Sequence, residues 1–411
     1  MWTNSRRQNE EREDLDLQDP IKESMDAYFN YHKVKFEVLH RLMNPIARRH
    51  QIHNVNVFIN LDDLLHRLHR PVINDELTIS TSNTIVRLVS SIINMAAHYR
   101  EYMMREGWTP KVYLCYSSSF HGPFRNMVYI ESYRDHFKTI SSELNQEYAY
   151  LNRVIPPALN LVKSICQYIE GVYLVDSTYV EPSVLPLILS EMRHADYNFL
   201  VTRDEYDYQY TAYQNWAIIY ANSDEEKSEL ITSSNLWKFV AEKNKVNTED
   251  LSLDYQASLY SFVLSVIGNR YRGIPRIKKC GWSRILSIVD EISKEPTSIT
   301  ASTLREKVID RLKGKTYLTL DQINANLACT DIQTQYRRLN MQTNSVLSMD
   351  LTTQMVDVPD YENLLTVDRI YFKDYHLNIP FLTKQMPDSP MVNRKFRLDK
   401  KGPKKREGDP V

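Results

Sequence analysis

Four carboxylates stand directly after short apolar runs of the chain. Asp176 ends the run VYLVD, Glu181 follows five residues later, and Asp204 and Asp207 follow NFLVT. Such runs are typical of buried parallel strands, whose carboxyl ends meet at the sheet edge where open α/β folds bind ligands. The four are therefore candidate catalytic residues, able to form one weak Mg²⁺ or Mn²⁺ site. The alternative is that they are helix caps and solvated loop residues.

A second stretch of the chain is strongly basic. Residues 255–289 contain no acidic residue and hold three of the nine glycines. Their six candidate nucleic-acid-binding side chains are Arg270, Arg272, Arg276, Lys278, Lys279 and Arg284. Cations of this kind attract a nucleic-acid backbone whatever its sequence, and glycines allow close approach to a phosphate. The pattern predicts helix, basic turn, helix; the alternative is an ordinary helical hairpin with a solvated turn.

The elements that must position these residues follow from apolar spacing. Over residues 21–245, strand-length apolar runs alternate with helical patterns; the runs lie at 55–59, 111–116, 172–176, 198–202 and 216–221. This alternation predicts an α/β domain with a mainly parallel central sheet of about five strands flanked by helices. Over residues 246–345 helical spacing predicts an α-helical domain that contains the hairpin. We expect residues 1–20 to be disordered, 346–390 to form a loop-rich arm packing back on the core, and 391–411 to be a basic disordered tail.

The composition excludes several classes of protein. Among 411 residues, 51 Lys and Arg nearly balance 52 Asp and Glu, which excludes a histone-like polycation. Nine glycines are too few for glycine-rich phosphate loops, and the four cysteines form no CxxC pair that would suggest a zinc knuckle. Without a secretory signal or a long apolar segment, we expect a cytoplasmic protein, or one in a host cytoplasm or virion, with no membrane partner.

The order of the motifs resembles that of the flap endonuclease and 5′-to-3′ exonuclease superfamily, which has a PIN-like nuclease fold. IGNRYRGIPRIKKCGWSRIL resembles its helix-hairpin element, and VNVFINLDDLLHRL its first strand and helix. EPSVLPLIL resembles the helix with the Glu-Ala-Asp-Asp signature, and NFLVTRDEYDYQY the strand with the Ser-x-Asp-x-Asp signature. The resemblance covers most of residues 50–290 and implies a metal-dependent nuclease fold that binds DNA.

Most of the metal-site carboxylates of that superfamily are replaced in this chain. Glu181 and Asp204 match, and the resemblance makes them candidate metal ligands. Other residues stand at the remaining positions: Asn60, Tyr116, Ser183, Val184, Tyr206, Asn269, Arg272 and Gly273. Hydrolysis with two metal ions needs carboxylates around both cations. The resemblance therefore implies a degenerate site, with no cofactor or with weakly bound Mg²⁺ or Mn²⁺.

Three functions remain open at this point. The first is a catalytically inactive nucleic-acid-binding protein of a virus or phage, with DNA favoured over RNA. The second is an active metal-dependent 5′-to-3′ exonuclease or flap endonuclease with a rearranged site. The third is a structural or scaffold subunit of a virion or polymerase complex, which binds a protein partner. The tyrosines between residues 206 and 213 could stack on single-stranded bases, but packing in a sheet or interface is the preferred interpretation.

Overall fold

Six strands form one sheet in the part of the chain that the structure describes. Their order is β3-β2-β1-β4-β5-β6. They are β1 (Asn54–Asn60), β2 (Thr109–Tyr116), β3 (Val172–Asp176), β4 (Tyr197–Val201), β5 (Trp216–Tyr220) and β6 (Glu229–Ile231). The first five strands are parallel, and β6 is antiparallel to β5. The predicted mainly parallel sheet is confirmed, and β6 is an additional short edge strand.

This computed structural model describes about half of the chain in separate ranges. They are residues 34–47, 51–61, 81–116, 155–166, 169, 171–176, 180–221, 227–249, 251–253, 255–268, 274–295, 301–313 and 320–337. The predicted segments 1–20, 346–390 and 391–411 lie outside these ranges. Within them, no helix has the length and apolar character needed to cross a membrane.

Helices cover both faces of the sheet. They are α1 (Phe36–Ala47), α2 (Thr81–Arg105), α3 (155–166), α4 (Leu185–Met192), α5 (Leu236–Lys243), α6 (Tyr260–Ile267), α7 (Trp282–Ser293), α8 (Ala301–Leu312), α9 (Leu320–Thr330) and α10 (332–337). The two sides of β1 contribute to different cores: Val57 and Ile59 pack with α1 and α2, and Phe58 packs with the later helices. Burial on both faces explains why the strands are continuous apolar runs.

The predicted helical region packs on the Phe58 side of the sheet and is held by a buried carboxylate. Asp290 on α7 accepts hydrogen bonds from the Ser252 backbone and from the Tyr255 hydroxyl, and it pairs with Lys294 at 2.6 Å. Burial alone would raise the pKa of Asp290, but the hydrogen bonds from Lys294, Ser252 and Tyr255 outweigh it and lower the pKa to about 2. The loop before α6 is therefore fixed to α7 by an ionised group.

Candidate functional site

The candidate site lies where the strand order reverses. From β1 the chain adds β2 and β3 on one side, and it then places β4 and β5 on the other side. Open α/β sheets form their ligand-binding crevice at such a switch point. Asn60 ends β1, and Thr202 follows Val201, which is paired with Ile59 of β1. The polar residues after β1 and β4 therefore meet at this crevice.

The segment after β4 is a 3-10 helix, Glu205–Ala212, and not a continued strand. A 3-10 helix has three residues per turn, so residues i and i+3 share a face. Asp207 and Tyr210 form hydrogen bonds with the end of β1 and with the turn before α4. Tyr206 and Gln209 form hydrogen bonds with the end of α9. Tyr206, Tyr208 and Tyr210 are buried in this 3-10 helix, and Tyr213 after it is half-buried, so these tyrosines pack from a helix and not from a strand.

Asp207 is the central charged group of the crevice. Its side chain is fully buried, and Oδ2 accepts hydrogen bonds from the Thr202 hydroxyl at 2.7 Å and from the Asn60 amide at 3.1 Å. Burial, and secondarily the negative charge of Asp207, raises the pKa of the neighbouring Cys115 thiol. Hydrogen bonds to a charged acceptor are about twice as strong as neutral ones, which offsets part of the cost of burying the carboxylate. Neutral donors from β1 and from the end of β4 therefore hold Oδ2 of this buried side chain.

Asp204 serves as a helix cap. Its Oδ1 accepts the backbone N–H of Tyr206 at 3.0 Å, and its own N–H donates to the Thr202 hydroxyl at 3.1 Å. This arrangement is the N-cap geometry that starts a helix, because it satisfies an N–H that has no partner within the helix. The structure thus gives Asp204 the structural position that the sequence had left as an alternative.

The other two candidate carboxylates belong to different elements around the sheet edge. Glu181 is buried at the turn before α4, where its backbone oxygen accepts the N–H groups of Val184 and Leu185. Asp176 ends β3, three strand steps from β4. At about 4.8 Å per step, the two strands are about 14 Å apart. Asp176 therefore lies on the far side of β2 from the switch point.

The described residues of this crevice do not by themselves supply the ligands of a two-metal site. Within the described ranges, no three His, Cys, Asp or Glu side chains are grouped so that they could hold a cation. The position that ends β1 supplies an amide N–H to Asp207, where a metal site would need another oxygen ligand. No hydrolytic step through a metal follows from this arrangement.

Tyr206, at the second aspartate position of the resembled signature, contacts the helical region. Its hydroxyl donates to the backbone oxygen of Cys329 at 3.0 Å and accepts from the Gln335 amide at 2.6 Å. Gln335 also donates to the Cys329 oxygen. The backbone oxygens at the end of α9 have no partner within that helix. Tyr206 and Gln335 thus cap α9 from two directions.

Gln209 completes this contact one turn later. Its amide donates to the Thr330 oxygen at 2.9 Å, and its Oε1 accepts the N–H of Ile332 at 2.9 Å. The sequence analysis did not identify Gln209, Gln335 or the buried Asn326 of α9. Asn326 could have been found, because it follows buried Ile323 by three residues and so lies on the inner face of the helix.

The predicted hairpin is formed by α6, a loop and α7. Gly268 ends α6 with φ 69°, and a Cβ there would lie 2.6 Å from the Arg276 nitrogen and the Ile274 oxygen. Only glycine permits both the positive φ and the close approach. The Ile277 N–H donates to the Val266 oxygen at 3.0 Å, which closes the loop against α6.

The basic residues of the hairpin differ in their environment. Lys278 and Lys279 are exposed at the turn before α7. Arg276 donates through Nε to the Cys280 oxygen at 2.7 Å, so part of its guanidinium supports the loop itself. Arg284 lies on the first turn of α7, which no side chain caps. The two remaining candidates, Arg270 and Arg272, lie outside the described residues.

Comparisons with known proteins give structural matches only. No family model and no curated protein matches the sequence. A bacteriophage T5 flap endonuclease, solved as a pseudo-enzyme–product complex with DNA and metal ions, is 11% identical over 74% of this chain and 98% of its own, with a TM-score of 0.46. The T5 5′-exonuclease with bound zinc gives the same values. The catalytic core of Rad2 with a DNA substrate is 11% identical over 78% of this chain and 92% of its own, with a TM-score of 0.31.

Proposed function

We propose that this chain binds nucleic acid through its basic hairpin and does not hydrolyse it. The observation that carries the proposal is the buried Asp207, which is held by the Asn60 amide and the Thr202 hydroxyl at the switch point of the sheet. A catalytic edge would present several oxygen ligands to cations and substrate. Here the same edge holds Oδ2 of Asp207 with two neutral donors.

The binding half of the proposal rests on the charge of the hairpin. Residues 255–289 contain no acidic side chain, and Lys278 and Lys279 project at the turn that precedes α7. The first N–H groups of α7 lie beside these lysines, and helix N-termini favour anions. Phosphates are therefore the ligand that this surface fits best, and the motif order favours DNA over RNA. Arg270 and Arg272 are expected to add to the same surface.

The binding test compares the salt dependence of two double variants. We expect Lys278→Ala/Lys279→Ala to weaken binding of a labelled DNA duplex in fluorescence anisotropy. The slope of log K against log salt, which is negative, should become shallower by about 1.8, since each of the two lost phosphate contacts contributes about 0.9. The control is Lys238→Ala/Lys313→Ala, which removes two lysines that are 71% and 59% exposed and lie outside the hairpin. Equal effects of the two variants would contradict the assignment of the hairpin.

The catalytic test uses flap and nicked duplexes with Mg²⁺ or Mn²⁺. We expect no cleavage above the level of an Asp207→Asn variant, which keeps the shape of the cluster and removes its charge. Metal-dependent cleavage by the wild-type protein that is lost in Asp207→Asn would establish the alternative, an active nuclease with a rearranged site. Stoichiometric binding of a protein partner without DNA affinity would favour the scaffold alternative.

A further inference from the structure

Helix α9 connects the switch point of the sheet to the basic hairpin. Its carboxyl end is capped by Tyr206 and Gln209 of the 3-10 helix, as described above. One turn earlier, Asn326 is fully buried against α6 and the hairpin loop. The same helix therefore contacts both regions that the proposed function assigns, one as the former catalytic edge and the other as the nucleic-acid surface.

Asn326 fixes both ends of the hairpin loop. Its amide donates to the Ser265 oxygen at 2.7 Å, near the end of α6, and to the Pro275 oxygen at 2.8 Å, three residues before Lys278. Thr330 adds a hydrogen bond from α9 to the Ser261 oxygen of α6. A buried amide that bridges two backbone oxygens fixes the distance between them, because breaking either bond leaves a polar group unsatisfied.

We propose that Tyr206 and Gln209 are positioning residues for the hairpin and act on it through α9 and Asn326. The proposal rests on the proposed function for what the hairpin binds, but the coupling itself is a property of the protein alone. A position that carries a metal ligand in the resembled signature would then hold the nucleic-acid surface in place.

The first test measures hydrogen exchange in the absence of nucleic acid. The reporters are the N–H groups of Ile277 and Cys280, which bond within the hairpin, and residues 54–60 of β1 serve as an internal reference. Tyr206→Phe removes one hydroxyl and should accelerate exchange at the reporters by about five-fold for each of the two buried hydrogen bonds that this hydroxyl makes. Tyr113→Phe is the matched control, since Tyr113 is also fully buried and its hydroxyl has no hydrogen-bond partner among the described residues.

A double-mutant cycle separates positioning from general destabilisation. If Tyr206 acts through Asn326, Tyr206→Phe should accelerate reporter exchange in the wild-type background and have little effect in an Asn326→Ala background. Equal acceleration in both backgrounds, or none in either, would overturn the inference. Gln209→Met tests the second contact in the same way and replaces Tyr206→Phe if that variant does not fold.

The second test measures DNA affinity. Tyr206→Phe and Asn326→Ala should weaken duplex binding without changing its salt slope, because neither substitution removes a cation. Unchanged affinity in both variants would overturn the inference. If the wild-type protein binds no duplex while the exchange cycle shows coupling, the proposed function fails and the positioning of the hairpin by Tyr206 stands.

Discussion

Asn60→Asp tests whether a neutral donor has replaced a metal ion at the switch point. The substitution changes one amide to a carboxyl at a position that is 2% exposed. The new oxygen would lie where the Asn60 nitrogen now lies, 3.1 Å from Oδ2 of Asp207. Two buried carboxylates at this distance cannot both be ionised, so the folded variant must bind a proton or a cation.

The expected magnitude follows from the proton that the folded variant must hold. An aspartic acid has an ordinary pKa of about 3.9, so keeping it protonated at pH 7 costs about 4 kcal/mol of folding free energy. The folded state binds the additional proton, so the stability of the variant decreases as pH rises, by about 1.4 kcal/mol per pH unit. The deficit relative to wild type should therefore shrink to about 1.5 kcal/mol at about pH 5.

Urea denaturation at the two pH values, with and without millimolar Mn²⁺, measures these quantities. Mn²⁺ should stabilise Asn60→Asp at neutral pH, because a cation bridging the two carboxylates binds only the folded state. Asn56→Asp is the matched control: Asn56 is also buried on β1, but its amide donates to the Asn198 side chain and the Arg193 backbone. That variant should be destabilised without rescue by Mn²⁺. Wild-type stability and no pH dependence in Asn60→Asp would refute the pairing of Asn60 with Asp207.

Three further predictions concern stability. Asp290→Asn should lower the free energy of unfolding by about 2 kcal/mol near neutral pH, because the pKa of Asp290 is lowered to about 2 in the folded protein. This stabilisation is present above the ordinary pKa of an aspartate and is lost as pH falls from about 4 to about 2. Urea denaturation at a series of pH values measures the loss. Gly268→Ala should lower the stability measured by thermal unfolding by more than about 2 kcal/mol. Gly107→Ala is the control: its φ is also positive, 83°, but no atom lies within 4 Å of the added Cβ, so it should lower the stability by about 1 kcal/mol. Equal losses would contradict the steric explanation. Asp204→Ala should lower the free energy of unfolding by about 1 kcal/mol, because the helix loses its cap, and the loss should be the same with and without Mg²⁺. If Mg²⁺ stabilises the wild type but not the variant, Asp204 binds a metal ion instead.

The sheet could be predicted from the sequence because its parallel strands are buried on both faces. All five residues of β4, and likewise of β5, are buried; β5 appears as an uninterrupted apolar run, and β4 as an apolar run with one polar residue, Asn198. Strand β6 could not be predicted in this way, since it has three residues and only Ile231 is buried. Its place is set by antiparallel pairing with β5, a contact that apolar spacing does not report.

The location of the candidate site could be predicted, but its internal contacts could not. Residues at the ends of β1 and β4 are expected to meet wherever parallel strands share an edge. Which of Tyr206 and Asp207 faces the crevice depends on the local helix type. A strand would place Asp204 and Tyr206 on one face, whereas the 3-10 helix places Asp207 there. A motif aligned by strand spacing therefore selects the wrong side chain.

The 3-10 helix also explains why the crevice and the hairpin depend on each other. One face carries Asp207, which bonds to Asn60, and the next carries Tyr206 and Gln209, which cap α9. Successive residues of such a helix differ by about 120°, so turning position 206 toward the sheet would turn Asp207 away from Asn60. The same rotation would also break the hydrogen bonds from Tyr206 and Gln209 to the end of α9. In this structure, position 206 therefore faces the helical region and Asp207 faces the crevice.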